Sequence, residues 1–498
     1  MKTLKESMML AAQCHLAWLN PEKGFYPTGG FEVAHDTGRW WDAMLRMEQV
    51  SSFSIPAWAE EAMLANLMNL TDNQVGLLMN DPKIPWMKDK AFINPHNLRE
   101  GFIAVAALAR FRNSKWAAAA GHRMLKTIEQ YMDADGRIDF RAISEKTAIP
   151  MRPSRMEGKS DRTTCEGRAI EGIIWFYEAT GDPLALEIAS HFAEYHYNKT
   201  VTEDGNIPKT IISPDNIGHN HSYLGTLRGL ILYGVLANEK KYLNIVAKTY
   251  EKSIWKNNIS FSGWAPHDLG MARFSNEDGD PEGDPASCGD VAQIALWLAR
   301  YSGRTDLYDD IERLVRARIL PSQVYDESDP RRNGAWGIYR HPFGKGVILD
   351  VFAAVLHTLT DICNDIVSVH DDEIYINMHF ENESPAADIK VTNGNTRTLS
   401  VRPREKKSLN IRIPGWVDRN TVRVWICGEK ACENEYKGNY LHVDSSCIGK
   451  GEEVRIEFDL PKYETEEVMK TSKRTFHLHW RGDEVVSCEP EVPIYTNR

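Results

Sequence analysis

The chain has no C-x-x-C pair. Its eight cysteines, Cys14, Cys165, Cys288, Cys363, Cys427, Cys432, Cys447 and Cys488, are scattered over 498 residues. That spacing argues against a zinc ribbon or a dithiol redox centre. In a chain this long it reads as reduced thiols in a cytoplasm, with a secreted form carrying one or two bridges as the alternative. An excess of positive charge is also missing. With 59 Lys and Arg against 70 Asp and Glu the net charge is −11, which argues against a nucleic-acid partner. No window approaches the ~20 apolar residues of a membrane span, so no membrane partner is expected. The first residues, MKTLKESMMLAAQCHLAWLNPEKGFYP, lack the signal-peptide pattern, because Glu6 breaks the charged start and Gln13 and His15 break the apolar part. No phosphate-binding Gly-rich loop or redox motif is present. NEDGDPEGDPAS has the composition of a calcium loop without the EF-hand order of ligands, and reads as a solvated acidic loop. Neither cofactor nor metal is expected, and a homo-oligomer is left open.

What is present is a helical period that repeats. REGFIAVAALARFRNSKWAAAAGHRMLKTIEQY, EGRAIEGIIWFYEATGDPLALEIASHFAEYH, LGTLRGLILYGVLANEKKYLNIVAKTYEKSI and GDVAQIALWLARYSGRTDLYDDIERLVRARIL share one plan: helix, short polar turn, helix. A fifth pair fits RWWDAMLRMEQVSSFSIPAWAEEAMLANLMNL. A sixth combines GKGVILDVFAAVLHTLTDICNDI with the helix at the start of the chain. Hairpins that do not bury their faces alone must stack. Six of them, the last completed by the chain start, predict a closed (α/α)6 toroid over residues 1–366, with an open superhelix as the alternative. From about Ile374 the period becomes two, in segments such as EIYINMHF, SLNIRIPGW and EEVRIEFDL. This predicts an antiparallel β-sandwich over residues 367–498, and a fold that is mainly α with a β domain.

Within each hairpin the turn is short, but the returns are long: about Thr71 to His96, Ala134 to Cys165, Lys199 to Gly218, Asn257 to Cys288 and Pro321 to Lys345. Ordinary connections run ~4–6 residues, and long ones are often functional. A ring places all the long returns on one rim, each leading into the N-terminus of an inner helix. Unusual residues collect there. HDTGRWWD holds His35, Asp36, Arg39, Trp40, Trp41 and Asp42; NPHNLRE holds His96, Asn97, Arg99 and Glu100; RTTCEGR holds Arg162, Cys165, Glu166 and Arg168. GHNHS holds His219 and His221, ASCGD holds Cys288 and Asp290, and WGIYRHP holds Trp336, Tyr339, Arg340 and His341. Trp264, in the return before the fifth inner helix, joins the substrate-binding set. Each cluster alone has a plain structural explanation as a cap, a dipole partner or a satisfied histidine. Together they converge on one cavity if the ring closes. Aromatic faces beside amides, carboxylates and histidines suit a sugar. Arg39, Arg99, Arg168 and Arg340 suit an anionic group such as a uronate, or else pair with neighbouring carboxylates.

The pattern resembles the six-hairpin glycosidases, and most closely glycoside hydrolase family 127, the bacterial β-L-arabinofuranosidases. SLNIRIPGWVDRNTVRVWICGEK is similar to that family's sandwich signature, GHNHSYLGTLRGLILYGV to its Gly-His helix start, and SCGDVAQIALWLARYSGRTDLYDDIERLVRARIL to its Cys-containing hairpin. The resemblance covers most of the chain in order. It implies a zinc held by one glutamate and three cysteines, one of them the nucleophile. Cys288 matches one ligand, but Ala286 stands where the glutamate belongs, and RHPFGKGV replaces the stretch with the adjacent cysteine pair. One cysteine does not build a thiolate zinc site, so neither zinc nor a cysteine nucleophile is carried over. Relatives of this toroid-plus-sandwich type that act on β-glucuronides agree with the arginines.

Metal-free glycoside cleavage uses two carboxyl groups, ~5–5.5 Å apart for retention or ~6.5–9.5 Å for inversion. The rim offers Asp36, Asp42, Glu100, Glu166, Glu282 and Asp290. Glu166 and Asp290 are the first choice as catalysts, with His221 for proton transfer. Asp36, Arg39, Trp41, Asp42, His96, Asn97, Glu100, Arg168, His219, Trp264, Cys288, Trp336, Arg340 and His341 are expected to bind substrate. The expected activity is an exo-acting glycoside hydrolase on oligosaccharides from plant or algal polysaccharide, removing a terminal uronic acid or arabinose. A polysaccharide lyase using His and Tyr on a uronate is one alternative. A non-catalytic glycan-binding protein is the other.

Overall fold

A helix that is apolar on every side has to be central. Every residue from Leu98 to Ala109 is buried, as is every residue from Pro285 to Ala299. The structure, a computed structural model, describes residues 3–84, 86–87, 91–152, 162–213, 218–269, 283–325, 328–337, 349–469 and 473–496. Its helices are α1 (Leu4–Ala17), α2 (Val33–Val50), α3 (Ala57–Thr71), α4 (Leu98–Arg112), α5 (Lys115–Tyr131), α6 (Phe140–Thr147) and α7 (Arg168–Thr180). They continue with α8 (Pro183–Lys199), α9 (Lys209–Ile212), α10 (Asn220–Leu236), α11 (Lys240–Thr249), α12 (Pro285–Ser302), α13 (Tyr308–Leu314) and α14 (Leu349–Asp365). The inner six are α2, α4, α7, α10, α12 and α14. Each packs on the next and α14 returns to α2, so the ring closes. α3, α5, α8, α11 and α13 double back outside their inner partners, and α1 covers α14 as the sixth outer helix. This is the (α/α)6 toroid, not an open superhelix.

Local chemistry sets the hairpin turns. Gly181 ends α7 in the left-handed region at φ 70°, and Asp182 then caps α8 with Pro183 in its first turn. Inner helices approach at backbone distance where a side chain is missing. A Cβ on Gly38 of α2 would lie 2.5 Å from the Glu100 carbonyl oxygen of α4. Among the described residues no helix is long and apolar enough to cross a membrane, and all eight cysteines are free thiols.

The β part begins at Val367, directly after α14. One sheet has the order Glu429–Lys430, Arg423–Ile426, Val454–Asp459, Thr396–Pro403, Ala387–Asn393, Asn382–Glu383. The other runs Glu435–Lys437, Tyr440–Val443, Ser408–Arg412, Glu373–Ile376, Val367–His370. Alternate residues of both, such as Ile374, Leu409, Leu399 and Ile456, share one apolar core. Two features differ from the expected antiparallel sandwich. Glu373–Ile376 lies parallel to Ser408–Arg412, because the chain between them first builds three strands of the opposite sheet, which a hairpin does not allow. The last strands, Lys462–Val468, Thr475–Arg481 and Glu484–Glu489, form a separate sheet. Phe476, Leu478 and Trp480 of that sheet pack with Trp264 and Ala317 of the helical part.

A buried charge network joins the parts. Arg412 pairs with Asp309 and Glu312 of α13; Arg316 pairs with Glu312 at 3.1 Å and with Asp483 at 2.5 Å; Arg397 pairs with Asp483 at 2.6 Å. Burial alone would raise the Glu312 carboxyl, but Arg412 and its neighbours outweigh it and hold it at about 2, below its ordinary 4.5. Glu312→Ala should cost ~3–5 kcal/mol in urea unfolding, because two buried arginines lose a counter-charge. The depressed value places this stabilisation above pH 4.5 and removes it as the pH falls towards 2. The wild type's advantage over Glu312→Gln should therefore shrink across that window.

Candidate active site

On α2, His35, Arg39 and Asp42 are spaced four and three residues apart, which puts them on one helix face. Ring closure turns that face inward, towards the equivalent faces of the other inner helices. The centre is Glu100 of α4. Its Oε1 accepts from Arg39 Nε of α2 at 3.1 Å, Arg99 Nη2 at 2.8 Å and Arg168 Nη2 of α7 at 2.7 Å. Burial would raise the Glu100 carboxyl, but Arg168 and Arg99 outweigh it and hold it below the ordinary carboxylate range. Glu171 takes up more of the charge, 3.5 Å from Arg99 and 3.1 Å from Arg228. Burial pulls the Arg39 and Arg168 guanidiniums below the usual arginine range, with Arg99 adding repulsion in both cases. Arg228 also lies 3.4 Å from Asp290, so four arginines share Glu100, Glu171 and Asp290.

His221, in the first turn of α10, joins the hub to α12. Its Nδ1 lies 2.5 Å from Asp290 Oδ2, and its Nε2 lies 2.6 Å from Arg39 Nη2 and 3.2 Å from Arg99 Nη2. Burial first, then Arg39 and Arg99, holds the imidazole well below its usual range, so it is uncharged. Burial raises Asp290 to about 7, against the opposing pull of Arg228 and Arg99. The carboxylate orients Nδ1–H towards itself and leaves the Nε2 lone pair facing the arginines.

A second group lies at the mouth. His35 Nδ1 bonds Asn97 Oδ1 at 2.9 Å, and its Nε2 lies 3.6 Å from Glu100 and 3.7 Å from Asp350 at the start of α14. His96 stacks on His35 with ring centres 5.2 Å apart and bonds both the Thr164 carbonyl and Arg168. Burial raises Asp36 well above the ordinary range, with Asp350 and Glu32 adding to it. Burial likewise raises Asp350, and takes Glu32 to about 7. Beside them, His219 Nδ1 bonds Ser222 Oγ at 2.8 Å. His219 occupies the cap position of α10 yet makes no capping bond.

The sequence candidates therefore separate. Asp36, Arg39, His96, Asn97, Glu100, Arg168, His219, His221 and Asp290 come together. Asp42 lies deeper on the same face, paired with Arg46 at 2.7 Å and with His357. Glu166 corrects an expectation. It sits in a π-helical turn, Thr163–Gly167, where its carboxylate takes the Ile138 N–H at 3.1 Å and lies 3.6 Å from Arg162, away from the hub. Cys288 is fully buried; a Cβ added to Gly263 would sit 3.2 Å from its sulfur, and burial raises the thiol to about 12. Trp264 is covered by Arg318 at 3.9 Å and by the C-terminal sheet. Trp336 is fully buried and donates to the Ile319 carbonyl at 2.8 Å, and Trp41 is fully buried edge-on to Trp40. These four are parts of the walls and offer no face to a ligand. Arg340, His341, Tyr339 and Glu282 lie outside the described residues.

Residues that sequence reasoning left out also contribute: Asp350, Glu32, Glu171 and Arg228. Asp350 carried a signal, an acidic residue in the first turn of the sixth inner helix. The ring-nitrogen shifts of labelled His221 should report a neutral imidazole when the pH is lowered through 6.5, the ordinary histidine value.

No protein-family model and no curated protein matches the sequence. In structure the chain is similar to a family 127 β-arabinofuranosidase, at 15% identity and TM-score 0.65, over 97% of this chain and 78% of that one. It is similar to a D-mannose isomerase at 11% identity and TM-score 0.51, over 73% of this chain and 97% of that one. It is also similar to an unsaturated glucuronyl hydrolase from Bacillus sp. GL1, at 13% identity and TM-score 0.50, over 72% and 96%. These likenesses are of fold: the chain has the architecture of six-hairpin glycosidases.

Proposed function

We propose that the protein is a glycoside hydrolase that removes a terminal uronic acid from oligosaccharides of plant or algal polysaccharide. The observation that carries this reading is a buried cluster of four arginines, Arg39, Arg99, Arg168 and Arg228, that share Glu100, Glu171 and Asp290 beside an uncharged histidine. A sugar carboxylate would relieve their mutual repulsion with charge-assisted, forked hydrogen bonds. Asn97, His35 and His96 then suit the hydroxyl groups.

In the hydrolytic step, water attacks the anomeric carbon and gives its proton to the Asp290 carboxylate, which His221 Nδ1–H holds in place. The glycosidic C–O bond breaks, and its oxygen takes a proton from Asp36, whose carboxyl burial raises well above the ordinary range. Glu166 has no part. The fold likeness to an unsaturated glucuronyl hydrolase is in keeping with a uronate, and the likeness to family 127 with an exo-acting glycosidase.

A second reading has its own observation. A neutral histidine 2.6 Å from an arginine is also placed to take a carbon-bound proton beside a carboxylate or carbonyl, as a lyase or isomerase would, and a D-mannose isomerase is among the fold likenesses. A screen of aryl glycosides and glucuronides separates the two. Hydrolysis places solvent oxygen in the product. A lyase forms a C=C bond that absorbs in the ultraviolet, and an isomerase washes solvent deuterium into carbon. Binding without turnover would leave a glycan-binding protein.

Under the hydrolase reading Asp290→Asn lowers kcat by ~10²–10⁴ without unfolding the chain. Wild-type kcat/KM should rise with pH through about 7, where Asp290 loses its proton, and that limb should vanish in the variant. Glu166→Gln should keep activity within a few-fold, whereas Arg168→Ala should erase the preference for a glucuronide over the matching neutral glycoside. Full loss in Glu166→Gln with a folded protein would overturn this assignment of roles.

A further inference from the structure

Beside the hub, two segments far apart in sequence are locked together. His219 and Asp268 face each other in an antiparallel bridge; Asn220 N–H donates to the His267 carbonyl at 2.9 Å, and Leu269 N–H donates to the Gly218 carbonyl at 2.7 Å. The buried Asn220 side chain donates to the Asn258 and Pro266 carbonyls at 2.9 and 2.8 Å and accepts from Asn258 Nδ2 at 2.8 Å. No hairpin turn joins these strands, so this buried amide knot fixes their separation.

The knot brings three potential ligands together. One ring nitrogen or carboxylate oxygen from each of His219, His267 and Asp268 lies within 4.8 Å of the others. His219 Nδ1 bonds Ser222 Oγ and His267 Nδ1 bonds Asp268 Oδ1, both at 2.8 Å; a metal taking the place of the proton between His267 and Asp268 would be held by that nitrogen and that carboxylate together. The histidine rings lie 4.7 Å apart between centres, and His219 is 5.5 Å from His96 and 6.1 Å from His221.

The geometry points to a divalent transition-metal site of the zinc class, held by His219, His267 and Asp268 beside the arginine hub. Two imidazoles and a carboxylate suit zinc better than calcium or magnesium, which prefer all-oxygen shells. Three protein ligands leave a tetrahedral position for water or a sugar oxygen. The set shares nothing with the thiolate zinc site implied by the family resemblance, because Cys288 lies against Gly263 and Arg318 instead. Metal binding here does not depend on the hydrolase reading.

The test uses the full chain, stripped with a chelator and dialysed. Zinc should then bind with one equivalent by titration calorimetry and by elemental analysis after gel filtration. Cobalt at the same site should give a visible d–d band. Asp268→Asn and His267→Ala should each weaken zinc binding by ~100-fold or more, since loss of a supporting group alone costs ~10–100-fold. Melting curves without metal establish that the variants are folded, and the isosteric Asp268→Asn carries the test if His267→Ala is not. No stoichiometric uptake by the wild type, or equal uptake by a folded variant, overturns the site. Neither result bears on turnover of glycosides.

Discussion

The arrangement depends on one carboxylate oxygen. Glu100 Oε1 holds arginines from α2, α4 and α7, three neighbouring inner helices. Removing such a carboxylate would take the partner from Arg39 and Arg168 and leave Arg99 with Glu171 alone, in a low-dielectric interior where unpaired charge costs several kcal/mol. The same group therefore fixes the spacing of half the ring and the electrostatics of its mouth. Gly38 belongs to this constraint. Its missing side chain lets α2 lie against the Glu100 carbonyl, so Arg39 reaches the carboxylate at 3.1 Å.

Carboxyl groups inside the ring divide by their partners. Glu100 and Asp42 face cations close enough to outweigh burial, and both are held below the ordinary range. Burial raises Asp36, with Asp350 and Glu32 adding to it, and raises Asp350 against the pull of Arg39. Asp290 lies between, near 7, because its arginine neighbours offset only part of the burial and its closest contact is an uncharged histidine. Environments that push like groups apart in this way separate acids from bases at a single pH.

The helical period and the long returns were enough to read the closed ring, including the pairing of α1 with α14. They also placed the histidines, arginines and acids of α2, α4, α10 and α12 near one mouth. Side-chain direction was not legible where the backbone leaves the ideal helix. Arg162 takes φ 68° and the next five residues form a π-helical turn, so Glu166 points to the 133–138 turn although its neighbour Arg168 enters the hub. Trp264, Trp336 and Trp41 misled for another reason. An aromatic residue near a rim can be a platform or a wall, and only its neighbours decide. For Trp264 those neighbours come from a C-terminal sheet more than two hundred residues away, which the period-two pattern did not separate from the sandwich.

The balance of charge changes along the ring axis. Asp42 lies seven residues beyond His35, about 10 Å further in at 1.5 Å per residue, and there each carboxyl has a cation beside it: Asp42 has Arg46, and Asp361 and Asp365 share Arg300. At the level of Arg39 four arginines share Glu100, Glu171 and Asp290, and at Asp36 the neighbours Asp350 and Glu32 are acids. A protein shaped for stability alone would complete these pairs, because an unpaired buried charge is a cost with no structural return. The mismatch sits at the end where the long returns open, with the arginines inside and Asp36 and Asp350, both raised by burial, outside. A ligand that brings a carboxylate to the inner layer and a basic oxygen to the outer one would complete both.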